Sequence, residues 1–109
     1  MNTQRISLIQ EAKKQQTPFW ERVAKDLAKS GTRRREVNLS HLSRVSEEGE
    51  VIVVPGKVLG SGEMTHKATV VAFSFSESAK KKLRASQCDS MSLDEFLKKN
   101  PKGSGRIIG

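Results

Sequence analysis

Apolar positions in the first part of the chain repeat with the period of amphipathic helices. A first helix is predicted over residues 4–15. A second begins after Thr17, which can act as its N-cap, with Pro18 at the first helical position and Gly31 expected at its end. Apolar residues then recur at i, i+3, i+4 and i+7, a spacing that places them on one buried face. That face consists of Trp20, Val23, Ala24 and Leu27.

The pattern changes from helical to β-type at Val51. A short helix capped by Asn38 and an acidic turn at residues 47–50 come before this change. Two apolar runs rich in β-branched residues follow, at 51–54 and 68–73. Such runs are typical of buried strands, so both are predicted to lie in a sheet.

The remainder of the chain alternates between helix and strand signals. Ser76 and Ser92 can each cap a helix, and the three lysines at 80–82 are expected to face outward from the first of these helices. Ile107 and Ile108 predict a last short strand. The fold class predicted from the whole pattern is α/β, with N-terminal helices followed by an irregular strand-strand-helix core.

Length and composition limit the architecture and the class of partner. The 109 residues are expected to form one domain, with 1–50 as a helical basic part and 51–109 as the α/β core. Lys and Arg number 20 against 12 acidic residues, a formal net charge of +8 that favours a polyanionic partner. Nucleic acid is the first candidate and an anionic membrane surface the second.

Hydropathy and cysteine content indicate a cytoplasmic protein with no membrane-spanning segment. No apolar run approaches the ~20 residues that a spanning helix needs. Polar residues interrupt the first helix, which argues against a signal peptide, and a single cysteine suits a reducing compartment.

The segment between the two predicted strands combines glycines with basic side chains. Glycines there let a phosphate backbone come close, or else they only supply positive φ for a turn. The segment does not fit the P-loop pattern, because Val51 stands where Gly is required and Val58 where Ser or Thr is required. It does not fit the dinucleotide-binding pattern either, because Thr65 stands where Gly or Ala is required. An RNA-facing loop is therefore favoured. Its candidate contacts are Lys57, Gly60, Ser61, Gly62, His66 and Lys67.

Three further basic groups are candidate RNA contacts. Arg33, Arg34 and Arg35 lie between two predicted helices and can each bind a phosphate bidentately, although a solvated loop is the alternative. The lysines after Ser76 either contact RNA or only complement a helix dipole. The Gly-rich tail adds another basic pair. The candidates from these two groups are Lys80, Lys81, Lys102 and Arg106.

Signals for catalysis or metal binding are absent from the sequence. His41 and His66 have no cysteine or carboxylate partners at metal-ligand spacing, Cys88 stands alone, and Ser74 and Ser76 are not in a nucleophile elbow. No catalytic residue, metal, cofactor or small-molecule substrate is therefore predicted. Aromatic residues are too few for a stacking platform on single strands, which favours structured RNA recognised by shape and phosphate position.

Four stretches of the chain resemble a known family. They are 36–40 (Glu-Val-Asn-Leu-Ser), 53–62 (Val-Val-Pro-Gly-Lys-Val-Leu-Gly-Ser-Gly), 72–76 (Ala-Phe-Ser-Phe-Ser) and 100–105 (Asn-Pro-Lys-Gly-Ser-Gly). The pattern is similar to the archaeal and eukaryotic large-ribosomal-subunit protein eighteen of the e-type, a distant relative of bacterial large-subunit protein fifteen. The short length resembles the archaeal members.

The resemblance implies a structural constituent of the large ribosomal subunit, located in the cytoplasm. It implies an α/β fold that binds large-subunit ribosomal RNA, with no enzyme activity and no cofactor. Neighbouring ribosomal proteins are further candidate partners. The alternative from composition alone is a free RNA- or DNA-binding module with an architectural or regulatory role.

Overall fold

The computed structural model describes residues 3–28 and 36–108. Helices and strands alternate along most of these residues. The helices are α1 (Thr3–Lys14), α2 (Pro18–Ala28), α3 (Leu39–Val45), α4 (Glu77–Ala85) and α5 (Leu93–Lys99). The strands are β1 (Glu36–Asn38), β2 (Val51–Leu59), β3 (Thr69–Phe75), β4 (Asp89–Ser92) and β5 (Arg106–Ile107).

The five strands form one parallel sheet with β2 near its centre. Along the sheet the order is β1-β2-β3-β4, and β5 also pairs with β2. Because β3 occupies one edge of β2, the two short strands β1 and β5 share the other edge, at Lys57–Leu59 and Ile52–Val53 respectively. All four pairings are parallel, so the carboxyl ends of the strands lie at one end of the sheet.

Helices cover both faces of the sheet. Successive strand residues point to opposite sides, so apolar residues in a row leave both faces to be buried. Ile52 and Val54 face α3 and α4, whereas Val53 faces α1, α2 and α5. Each face therefore has its own hydrophobic cluster. The second cluster includes the predicted stripe of α2, whose four members, Trp20, Val23, Ala24 and Leu27, are all buried. The predicted α/β class with helices first is confirmed.

Most of the predicted helix starts are confirmed by their caps. Thr17 Oγ1 accepts from Trp20 N at 3.2 Å, and the hydroxyl of Ser76 accepts from Ala79 N at 3.2 Å. The hydroxyl of Ser92 accepts from the third residue of α5 at the same distance. Asn38 occupies the N-cap position of α3, but its side chain makes no capping hydrogen bond, so that part of the prediction is wrong.

Strand boundaries differ most from the prediction. The strand predicted at 51–54 continues to Leu59, across a register shift at Pro55 and Gly56. Proline is tolerated in a strand at such an irregularity because it need not donate to the ladder there. Strands β1 and β4 were not predicted, and the expected end of α2 at Gly31 lies outside the described residues.

Candidate nucleic-acid interface

The connection from β2 to β3, residues 60–68, runs from one end of the sheet to the other. It leaves the carboxyl end of β2 and enters the amino end of β3, since Thr69 pairs with Val51. Lys57 pairs with Ser74, which lies five residues beyond Thr69 along β3. At 3.3 Å per residue, Ser74 and Thr69 are about 17 Å apart. Lys67 precedes Thr69, so it cannot share one phosphate site with Lys57.

The interpretation of residues 55–67 as a single basic loop is therefore wrong. Lys57 belongs to a strand, and Gly60, Ser61 and Gly62 follow it at the carboxyl end of the sheet. His66 and Lys67 lie at the amino end, where the backbone carbonyl of Lys67 accepts from Gly49 N at 2.8 Å. The candidate residues thus form two separate groups.

Gly60 and Gly62 have no room for a side chain because of the protein itself. A Cβ at Gly60 would overlap Ser78 and lie 2.8 Å from Ala79 N, in the first turn of α4. Gly62 has φ of +83°, and a Cβ there would lie 2.9 Å from the Cα of Ser40 in α3. Both glycines thus allow the connection to pack against two helices. RNA contact at these residues stays a prediction, but RNA is not needed to explain the glycines.

Lys82 holds residues 60–62, here called the glycine segment, against the rest of α4. Its Nζ donates to the carbonyl oxygen of Gly60 at 2.7 Å and to that of Gly62 at 2.9 Å. The prediction that all three lysines at 80–82 face outward is wrong for this one, which is partly buried. The sequence offered no signal for this role beyond the position of the lysine on α4.

Hydrogen bonds to α3 and to the residues that follow α3 and α4 fix the second half of the connection. Thr65 N donates to Ser43 Oγ at 3.0 Å. His66 Nε2 lies 2.9 Å from Ser46 Oγ and is only partly exposed. Cys88 Sγ donates to the carbonyl oxygen of His66 at 3.4 Å, and this cysteine is buried. Because its imidazole is already bonded, His66 is a poorer RNA donor than the sequence indicated.

Lys57 lies beside the first residue of β1. Glu36, the first residue of β1, pairs with Lys57. The triplet, Arg33, Arg34 and Arg35, lies outside the described residues, but it immediately precedes Glu36 in the chain. A small cavity of about 170 Å³ is lined by Lys57, Glu36 and Ser74 together with the buried Arg5 of α1. Arg5 and Ser74 were not among the RNA contacts predicted from the sequence.

The exposed face of α4 carries Lys80, Lys81 and Arg84. Lys80 Nζ lies 3.8 Å from Glu77 Oε1, and its side chain remains half exposed. Lys81 is exposed, and within residues 3–28 and 36–108 it forms no ion pair. Lys80 and Arg84 line a groove of about 570 Å³, whose other wall includes Asp89 and Glu95. Carboxylates make that groove electrostatically mixed, so Lys81 is the better candidate for a phosphate.

The two basic tail residues lie away from the carboxyl end of the sheet. Arg106 pairs with Ile52 in the sheet, and its Nη1 donates to the carbonyl oxygen of Val45 at 2.7 Å and lies 3.6 Å from Glu50 Oε1. Its guanidinium is thus partly engaged within the protein. Lys102 is exposed in the turn after α5.

Two further kinds of site can be assessed over residues 3–28 and 36–108. No group of three or more His, Cys, Asp or Glu side chains there could hold a metal ion. None of the helices in those ranges has the length and apolar character needed to cross a bilayer.

Comparison with known families decides the class of the protein. Residues 9–108 match the family described as "Ribosomal protein 60S L18 and 50S L18e". The chain belongs to this ribosomal protein family. The resemblance seen in the sequence is thereby confirmed.

Individual relatives agree over most of their length. The chain is 45% identical over 97 residues to the large ribosomal subunit protein eL18 of Methanococcus maripaludis, covering 89% of this chain and 81% of the relative. It is 46% identical over 98 residues to the protein of the same name from Archaeoglobus fulgidus, covering 90% and 84%. The eL18 of Methanoregula boonei is 39% identical over 104 residues, covering 94% and 86%.

Proposed function

We propose that this chain is a structural constituent of the large ribosomal subunit that binds and stabilises large-subunit ribosomal RNA. The observation that carries the proposal is membership of the ribosomal L18 family over residues 9–108. The chain acts as a single domain in the cytoplasm, and no catalytic step, cofactor or small-molecule substrate is part of the proposal. Its net charge of +8 suits a partner made of phosphates.

The carboxyl end of the sheet is the surface that we assign to RNA. Lys57 and the glycine segment 60–62 lie there, and Lys81 is the neighbour on α4 of Lys82, which bonds this segment. The arginine triplet immediately precedes β1 in the chain. The amino end is less suitable because the exposed Glu47 and Glu48 adjoin it and would repel phosphates. His66, Lys67, Lys102 and Arg106 therefore become secondary candidates, while neighbouring ribosomal proteins can cover that end.

Incorporation into the subunit tests the proposed function directly. In cells expressing the chain with an affinity tag, we expect stoichiometric recovery with the large subunit after a moderate salt wash. A free RNA- or DNA-binding module would instead sediment apart from ribosomes, and that result would refute the proposal. Recovery with the small subunit would refute it equally.

Replacing Arg33, Arg34 and Arg35 together by alanine should weaken RNA binding and flatten its salt dependence. Each lost phosphate contact is expected to reduce the slope of log K against log salt by about 0.7–0.9. Filter binding of large-subunit RNA at several salt concentrations measures this slope. The matched control is Lys13, Lys14 and Lys25 replaced together by alanine, since these lysines are exposed on α1 and α2. Equal slopes for the two triple variants would contradict a specific role for the arginines.

A further inference from the structure

The glycine segment presents backbone N–H groups to the outside of the protein. The carbonyl oxygens of Gly60 and Gly62 both point inward, to Lys82 Nζ. The carbonyl oxygen of Ser61 points to α3, where it accepts from Ser40 N at 3.0 Å. Three successive carbonyl groups are thus bound by α3 and α4, which cover the same face of the sheet.

Peptide geometry then fixes the direction of the following N–H groups. The peptide units of this segment are trans, and in a trans unit the N–H points opposite to the preceding C=O. The N–H groups of Ser61 and Glu63 therefore point away from Lys82 in α4, and the N–H of Gly62 points away from Ser40 in α3. All three residues are exposed, and none of these N–H groups has an acceptor within the described part of the chain.

We propose that the N–H groups of Ser61, Gly62 and Glu63 bind one phosphate of the RNA backbone. Successive N–H groups around a residue with positive φ form concave anion sites in proteins, and Gly62 supplies that φ. This inference rests on the proposed function and specifies the atoms through which one phosphate is bound. Backbone donors of this kind fix the position of an RNA strand without selecting its sequence.

Lys82 acts in this site as a positioning residue. Its ammonium group bonds the two carbonyls, so it holds the N–H groups in their outward orientation and adds a positive charge beneath them. The first turn of α4, against which Gly60 packs, adds the positive end of a helix dipole. The exposed carboxylate of Glu63 opposes the site, because it competes electrostatically with an incoming phosphate.

Amide chemical shifts of the full, ¹⁵N-labelled chain test the site with inorganic phosphate as the probe. Sodium chloride at equal ionic strength is the blank. We expect saturable downfield shifts at Ser61, Gly62 and Glu63 that exceed those elsewhere. Lys82→Met should weaken phosphate binding about 10-fold or more, because hydrogen bonds to a charged group are lost. Lys25→Met removes the same charge from an exposed position on α2, and it should change binding by no more than about twofold.

Glu63→Gln keeps the test decisive if Lys82→Met disorders the segment. Removing the opposing carboxylate should strengthen phosphate binding at the same three amides. Absence of saturable shifts in the unaltered chain, equal losses in the two lysine variants, or no gain with Glu63→Gln would overturn the inference. If phosphate fails to bind but the chain is recovered with the large subunit, only this inference fails. If the chain is not recovered with the subunit, the proposed function fails, whatever phosphate does.

Discussion

Gly62→Val is expected to destabilise the free protein by roughly 2–4 kcal/mol, from backbone strain together with steric overlap. Gly62 has φ of +83°, a conformation that β-branched residues avoid, and a Cβ there would lie 2.9 Å from both the N and the Cα of Ser40. Because those atoms belong to the backbone of α3, the overlap can be relieved only by moving the helix. Urea unfolding followed by circular dichroism measures the loss.

Gly49→Val is the matched control for this prediction. Gly49 has nearly the same φ, +80°, but no atom lies within 4 Å of the position that its Cβ would take. The difference between the two variants therefore isolates the overlap with Ser40 from the backbone strain. Equal destabilisation by the two substitutions would show that Ser40 yields and that Gly62 serves only the turn. If Gly62→Val is recovered less with the large subunit, RNA contact is inferred only when that reduction exceeds what its loss of stability explains.

Trp20→Ala should have the second large effect, a loss of about 3–5 kcal/mol in the free energy of unfolding. Trp20 is completely buried, and its ring lies 5.0 Å from that of Phe19 and 5.8 Å from that of Phe96 between centroids. Its Nε1 donates to the carbonyl oxygen of Asn100 at 3.0 Å. A domain of this size has only about 5–15 kcal/mol of stability, so the variant is expected to lose a large fraction of it.

Trp20→Phe separates packing from hydrogen bonding at the same position. It retains much of the aromatic contact but leaves the carbonyl oxygen of Asn100 without its donor, at an expected cost of about 1–3 kcal/mol. Thermal melting of the two variants checks the order of their effects. A Phe variant as unstable as the Ala variant would mean that the link from α2 to Asn100, rather than ring packing, stabilises this part of the fold.

The sequence predicted elements whose cause is local. The α2 stripe and the caps Thr17, Ser76 and Ser92 depend on residues within one or two turns of each other, so the pattern alone specifies them. Strands β1 and β4 were missed for the opposite reason. Their sequences, Glu-Val-Asn and Asp-Ser-Met-Ser, have little intrinsic β preference and are strands because of their pairing with β2 and β3.

The candidate site was predicted in composition but not in arrangement. Glycine spacing indicated conformational freedom at Gly60 and Gly62, but not that Ser78 and Ser40 fill the space beside them. A lysine on α4 could not be assigned to the glycine segment without knowing how the connection crosses the sheet. Lys57 and Lys67 are ten positions apart in sequence and were grouped for that reason, whereas parallel pairing separates them.

The all-parallel sheet also determines how this chain can begin to fold. Not one of the described strands is joined to its neighbour by a hairpin, so no pairing can start from a tight turn. Each ladder forms only after a longer segment has been closed, and the entropic cost of closure grows with segment length. Residues 60–68 are the shortest of these connections, and they are the ones that join the two longest strands. The pairing of β2 with β3 is therefore the one that the chain can close at the lowest entropic cost.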